Sequence, residues 1–109
     1  MNILESNALD KENISKLEVN DKIAITIELG AKALFISKHK IMLSRITDEL
    51  MRLCPGRFYD ISVDKENLLL TFVVASTTII HTYEIKPISS DLKKYVVYIP
   101  HIALMDLKH

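Results

Sequence analysis

From Asn67 to Tyr83 the chain carries no charged residue, and the run is dense in Leu, Val, Ile, Thr and Phe. Within it, Leu68-Leu69-Leu70-Thr71-Phe72-Val73-Val74-Ala75 is mostly apolar on both alternating faces. Such a strand suits a sheet covered on two sides, because successive side chains point to opposite faces. Ser76, Thr77, Thr78 and His81 make the run too polar, and its length too short, for a membrane span. A chain of 109 residues with one strong helix has material to cover one face of its sheet. The other face then meets a second molecule. The sequence points to assembly rather than to chemistry.

The helix precedes this run. Met42, Leu43, Ile46, Leu50 and Leu53 recur at helical spacing over 38–53. Ser37 is placed to cap its first turn, and Cys54-Pro55-Gly56 ends it. Upstream, Ile23, Ile25, Ile27 and Leu29 alternate with Ala24, Thr26 and Glu28, the pattern of a half-buried strand. Lys32 to Ile36 reads as a second short strand after Gly30. Residues 1–20 are weakly patterned and read as mobile or as a short helix over 11–18. Asp10 would cap that helix, and Leu9 with Ile14 would staple its first turn.

Beyond the helix, strands are expected at Phe58–Val63, Leu68–Ala75, Thr77–Ile85 and Tyr95–Ile99. Asp64-Lys65-Glu66-Asn67 forms the polar loop of a hairpin. Around Ala75-Ser76-Thr77 no Gly, Asn or Pro marks a turn, so a hairpin and one long bent strand are both open. Ile102, Leu104, Met105 and Leu107 suggest a short terminal helix. The expected fold is α+β and a single domain over 1–109: a mainly antiparallel β-sheet with one principal amphipathic helix packed on it.

Fourteen basic residues balance fourteen acidic ones, which argues against a disordered chain and against a bulk polyanion binder. With two glycines, the chain has little material for phosphate-cradling loops or for turns that need positive φ. The one cysteine, Cys54, has no internal disulfide partner, and the N-terminus lacks a basic segment followed by an apolar run. These features predict a soluble, intracellular protein, cytoplasmic or nuclear, with no membrane partner.

Chemistry finds little support. His39, His81, His101 and His109 share no spacing that aims two ligands at one point, so no metal and no cofactor are expected. Cys54 falls at a helix C-terminus, where the dipole disfavours a thiolate. Asp48 and Glu49 are adjacent on the helix and diverge by about 100°. No catalytic residue is assigned, and a small enzyme with a dispersed site ranks last.

One local feature breaks a rule. Lys38, His39 and Lys40 stand at the helix N-terminus, the end already carrying partial positive charge. Lysines beside unpaired amides suit an anion, and Lys32 and Arg45 would extend the patch toward phosphate or DNA. A solvated lysine pair is the alternative. On either reading, replacing Lys38 and Lys40 by glutamate is expected to leave stability level or slightly raised.

The order of elements from Ala33-Leu34-Phe35-Ile36 onward resembles one repeat of the sliding-clamp family typified by proliferating cell nuclear antigen. The helix Ile41 to Leu53 continues it, then Phe58-Tyr59-Asp60-Ile61-Ser62-Val63, Leu68-Leu69-Leu70, Thr78 to Ile85, Tyr95-Val96-Val97-Tyr98-Ile99-Pro100 and Leu104-Met105-Asp106-Leu107. The resemblance covers about three quarters of the chain. It implies a β-α-β-β-β unit whose edge strands join neighbouring subunits and whose helix faces DNA. Clamp subunits hold two or three such repeats, and this chain has room for one. Asp48 and Glu49 beside Arg45 and Arg52 deny the helix a clean basic face, and Lys22–Leu29 has no counterpart.

The leading functional expectation is a non-enzymatic protein-interaction module that self-associates, as a homo-oligomer, or binds a protein partner through a sheet face or edge strand. Leu69, Thr71, Val73 and Ile80 are its expected contacts. A DNA-associated clamp-like component of replication or repair, using Lys32, Lys38, Lys40 and Arg45, is the alternative.

Overall fold

A computed structural model describes residues 3–14, 16–18, 20–29, 38–55, 58–74, 79–88 and 94–105. Six strands form one sheet: β1 (Ile3–Glu5), β2 (Lys22–Glu28), β3 (Phe58–Asp64), β4 (Leu69–Val74), β5 (Ile80–Pro87) and β6 (Lys94–Pro100). Their order is β1-β2-β6-β5-β4-β3. The short β1 runs parallel to β2, and every other pairing is antiparallel. The fold is α+β, with helices α1 (Lys11–Ile14), α2 (Lys38–Leu53) and α3 (His101–Met105) among the described residues.

The periodicity of β2 decides which face is the core. Ile23, Ile25 and Ile27 are wholly buried and stand opposite Ile99, Val97 and Tyr95 of β6. Ile85 continues this face onto β5, and Leu70 with Phe72 onto β4. Met42, Ile46, Leu50 and Leu53 of α2 are buried in the same cluster. Each such side chain contributes about 1.5–3 kcal/mol on leaving water. Thus α2 covers one face of the sheet. Its last ladder bond runs from the Cys54 N–H to the Leu50 carbonyl (2.8 Å), and Pro55 follows.

Strand β5 changes neighbours half-way. Residues 80–84 pair with β4 and residues 85–87 with β6, so β3, β4 and the first half of β5 form a three-stranded layer. The antiparallel register of β4 with β5, Val73 opposite Ile80, makes this stretch a hairpin and closes the long-bent-strand alternative. Residues 75–78 lie outside the described residues, as do the expected strand Lys32–Ile36 and the expected cap Ser37.

At the β3–β4 loop the Asp64 carboxylate does the turning. Its Oδ1 accepts from the backbone N–H groups of Glu66 (2.9 Å) and Asn67 (3.1 Å), and its Oδ2 from the Asn67 side-chain amide (3.0 Å). These bonds hold the Asp64 carboxyl below the ordinary 3.8, the Asn67 side chain first, then the backbone groups. The loop ends on Leu68 in the left-handed region (φ 52°), a position suited to glycine in a chain that has few. Leu68 packs on the core, and that burial offsets a left-handed cost of about 1–2 kcal/mol.

The first helix is shorter than its sequence suggests. Asp10 caps it, Oδ1 accepting from the Asn13 N–H at 2.8 Å, and Leu9 and Ile14 are both buried. It ends at Ile14 rather than at 18. Leu17 donates to Ile14 in a tighter turn, and the Asp21 carboxylate takes the Glu18 N–H (2.8 Å) that would have continued the helical ladder.

Candidate functional site

The three-stranded layer sets the candidate surface. Along β4, Leu70 and Phe72 are wholly buried under α2, so Leu69, Thr71 and Val73 must project from the opposite face. Cross-strand register places Glu84, Thr82 and Ile80 beside them on β5, and Asp64, Ser62 and Asp60 on β3. Leu69, Thr71, Val73 and Ile80 therefore share one face. The first three are half-buried among their neighbours, whereas Ile80 is 66% exposed and Ile79 beside it 52%. The Thr71 and Thr82 hydroxyls approach to 3.4 Å in the middle of the face.

This face is graded along the strands. Val73 lies between Asp60 and Ile80, and Leu69 between Asp64 and Glu84, so acidic neighbours increase from one acid at the Val73 end to two at the Leu69 end. Toward β6 and β2, Ala24 and Val96 on the outward side are buried outside the main core cluster, whereas Thr26 and Lys86 beside Val96 are exposed.

The residues expected to hold an anion are not gathered. Lys38 turns inward: its Nζ donates to the Tyr95 hydroxyl at 2.7 Å, and Tyr95 is itself buried. At 5.0 Å from the ring centroid and 2.7 Å from the oxygen, the ammonium sits off the hydroxyl end of the ring. The hydrogen bond, not the π face, is then the main attraction. Lys40 is exposed on the far side of α2. Arg45 lines a groove of about 190 Å³ with Glu5, Asp48 and Glu49, where carboxylates outnumber it. Lys32 lies outside the described residues.

Three long-range contacts had no signal in the sequence. Arg52 donates from Nη1 to the Leu9 carbonyl and from Nη2 to the Ser6 carbonyl, and pairs with Glu49 at 3.0 Å, fastening the N-terminal segment to α2. His101 donates its backbone N–H to the Asp21 carbonyl (2.8 Å), and its Nδ1 to the Glu18 carbonyl (3.0 Å), which fixes the proton on Nδ1. This ties the entry to β2 to the end of β6. Lys38 with Tyr95 is the third.

Among the described residues, no cluster of three His, Cys, Asp or Glu is placed to hold a metal ion. Cys54 is buried at the end of α2. His81 stacks on Phe72 at 4.9 Å and lies 3.4 Å from the Tyr83 hydroxyl, as a packed imidazole. No helix among the described residues is long and apolar enough to cross a membrane. Comparisons with protein-family models, curated proteins and solved structures found no match. The sliding-clamp resemblance therefore stands on element order alone.

Proposed function

We propose that the protein is a non-enzymatic interaction module that associates, with itself in the first instance, through the outward face of the β3–β4–β5 layer. One observation carries this reading. Val73 and Ile80 stand opposite each other on the face away from α2, Val73 half-buried and Ile80 66% exposed. An exposed isoleucine beside a half-buried valine on a β-face gains by being covered, at about 25 cal/mol per Å² of apolar area removed from water. A protein partner with a complementary apolar surface would use the same residues.

The test is sedimentation equilibrium across a wide concentration range on the wild type and on Val73→Asp/Ile80→Asp. Both positions lie outside the core, so the double variant keeps its fold by circular dichroism. The wild type is expected to self-associate at micromolar concentration, and the variant to lose that association. Unchanged association in the folded variant would reject this face as the contact.

A further inference from the structure

Strand register lays nine outward positions of the β3–β4–β5 layer on a grid, three strands wide and three positions long. Thr71 is its centre, with Ser62 and Thr82 to either side and Leu69 and Val73 along β4. Three of the four corners are exposed carboxylates: Asp60 and Asp64 on β3, and Glu84 on β5. The fourth corner is Ile80, 66% exposed. None of the nine is a base. Lys65 and Lys86 follow Asp64 and Glu84 in the chain, but Glu66 shares the loop with Lys65, so acids outnumber bases there too. An apolar row with acid at its corners selects by charge as well as by apolar area.

Two copies laid face to face about Thr71 do not match these corners. A two-fold axis along the strands sets Asp64 of each copy against Glu84 of the other, and an axis across the strands sets Asp60 against Asp64. A second copy thus gains the apolar contact but meets like charge, which a basic partner does not. Size narrows that partner further. Three strands are about 10 Å across, close to the diameter of one helix with its side chains. Leu69 to Val73 spans about 13 Å, a length that about nine helical residues cover. We propose that this face takes an amphipathic helix of a partner protein, its apolar stripe lying on Leu69, Val73 and Ile80 and its flanking lysines or arginines reaching Asp60, Asp64 and Glu84. This rests on the reading of the face as a contact surface, and it names the chemistry of the partner that binds there more tightly than a second copy.

The experiment titrates the protein, kept below its self-association range, with two synthetic peptides of about fourteen residues, long enough to hold a helix. One has a leucine stripe flanked by lysines, the other the same stripe flanked by glutamates. The lysine peptide is expected to bind about tenfold or more tightly at low salt than its counterpart, and the gap to close at high salt. Asp60→Asn/Glu84→Gln leaves the Asp64 loop bonds in place and is expected to loosen the lysine peptide about two- to thirty-fold. Ile80→Asp is expected to loosen it as well, although it adds a negative charge, and so separates docking on the face from attraction of any polycation. Equal binding of the two peptides, or none by either, overturns the proposal. So does unchanged binding to Asp60→Asn/Glu84→Gln, or unchanged or tighter binding to Ile80→Asp. If those results come with self-association that Val73→Asp/Ile80→Asp abolishes, the basic helix alone fails and a second copy is the occupant. If neither self-association nor peptide binding follows Val73 and Ile80, the face itself is not a contact.

Discussion

Lys38 offers the sharpest separation between a structural lysine and an anion-binding one. Its ammonium bonds the hydroxyl of Tyr95, a residue 1% exposed. A hydrogen bond to a charged group contributes about 1.5–3 kcal/mol, and the half-buried site keeps most of it. Against this stands a helix-dipole penalty of about 0.3–1 kcal/mol for a cation at an N-terminus, which its removal relieves. Lys38→Met keeps the apolar stem and removes the charge, so it should destabilise the protein by about 1–2 kcal/mol. Lys40→Met should be neutral or slightly stabilising, because Lys40 is exposed and gives up only the dipole penalty. Equal, level effects for both lysines follow from the sequence alone; the Lys38–Tyr95 contact splits them. The assay is urea unfolding followed by circular dichroism, since the chain has no tryptophan. A cycle with Tyr95→Phe isolates the pair, with an expected coupling of about 1 kcal/mol or more. Equal stabilities for the Lys38→Met and Lys40→Met proteins, or zero coupling to Tyr95, would mean that the Lys38–Tyr95 bond contributes nothing to stability.

Arg52→Ala should cost about 1–2 kcal/mol, discounted for a partly exposed guanidinium, and should speed amide exchange across Ile3–Ile14 more than elsewhere. Arg52→Lys should rescue this only in part, because one ammonium does not match the guanidinium fork that reaches both carbonyls. For Asp64 the folded carboxyl value is depressed, so its ionic contribution is present above the ordinary 3.8 and is lost as pH falls through the lowered folded value. The stability difference between wild type and Asp64→Asn should therefore hold steady above the ordinary 3.8, shrink as pH falls from there through the lowered folded value, and level off below it, as read from melting temperature against pH. Cys54→Ser should keep the association intact and cost at most about 1–2 kcal/mol through lost apolar burial; loss of association in the folded variant would count against a purely packing role.

Local patterns carried far in this chain. The apolar spacing of α2 and its Cys54-Pro55 stop, the alternation of β2, the Asp10 cap and the loop after Asp64 all rest on residues a few positions apart, and each appears where its local chemistry places it. The outward set Leu69, Thr71, Val73 and Ile80 was also legible, because a two-residue period puts alternate side chains on one face. Its acidic end was not legible, since Glu84 and Asp64 reach Leu69 only through strand register. The early stop of α1 depends on the Asp21 carboxylate capturing an amide, which propensity does not encode. Lys38 and Tyr95 are 57 positions apart, and His101 and Glu18 are 83; their pairing follows from topology. Leu68 takes a positive φ because packing outweighs a local preference for glycine.

On the function proposed above, the outward face of the β3–β4–β5 layer is a contact surface. Sedimentation equilibrium on the wild type beside Val73→Asp/Ile80→Asp, both shown folded by circular dichroism, tests it most directly. Self-association of the wild type at micromolar concentration, and its loss in the variant, are the expected results. A wild type that stays monomeric across the whole range, or a variant that associates as the wild type does, would contradict that function.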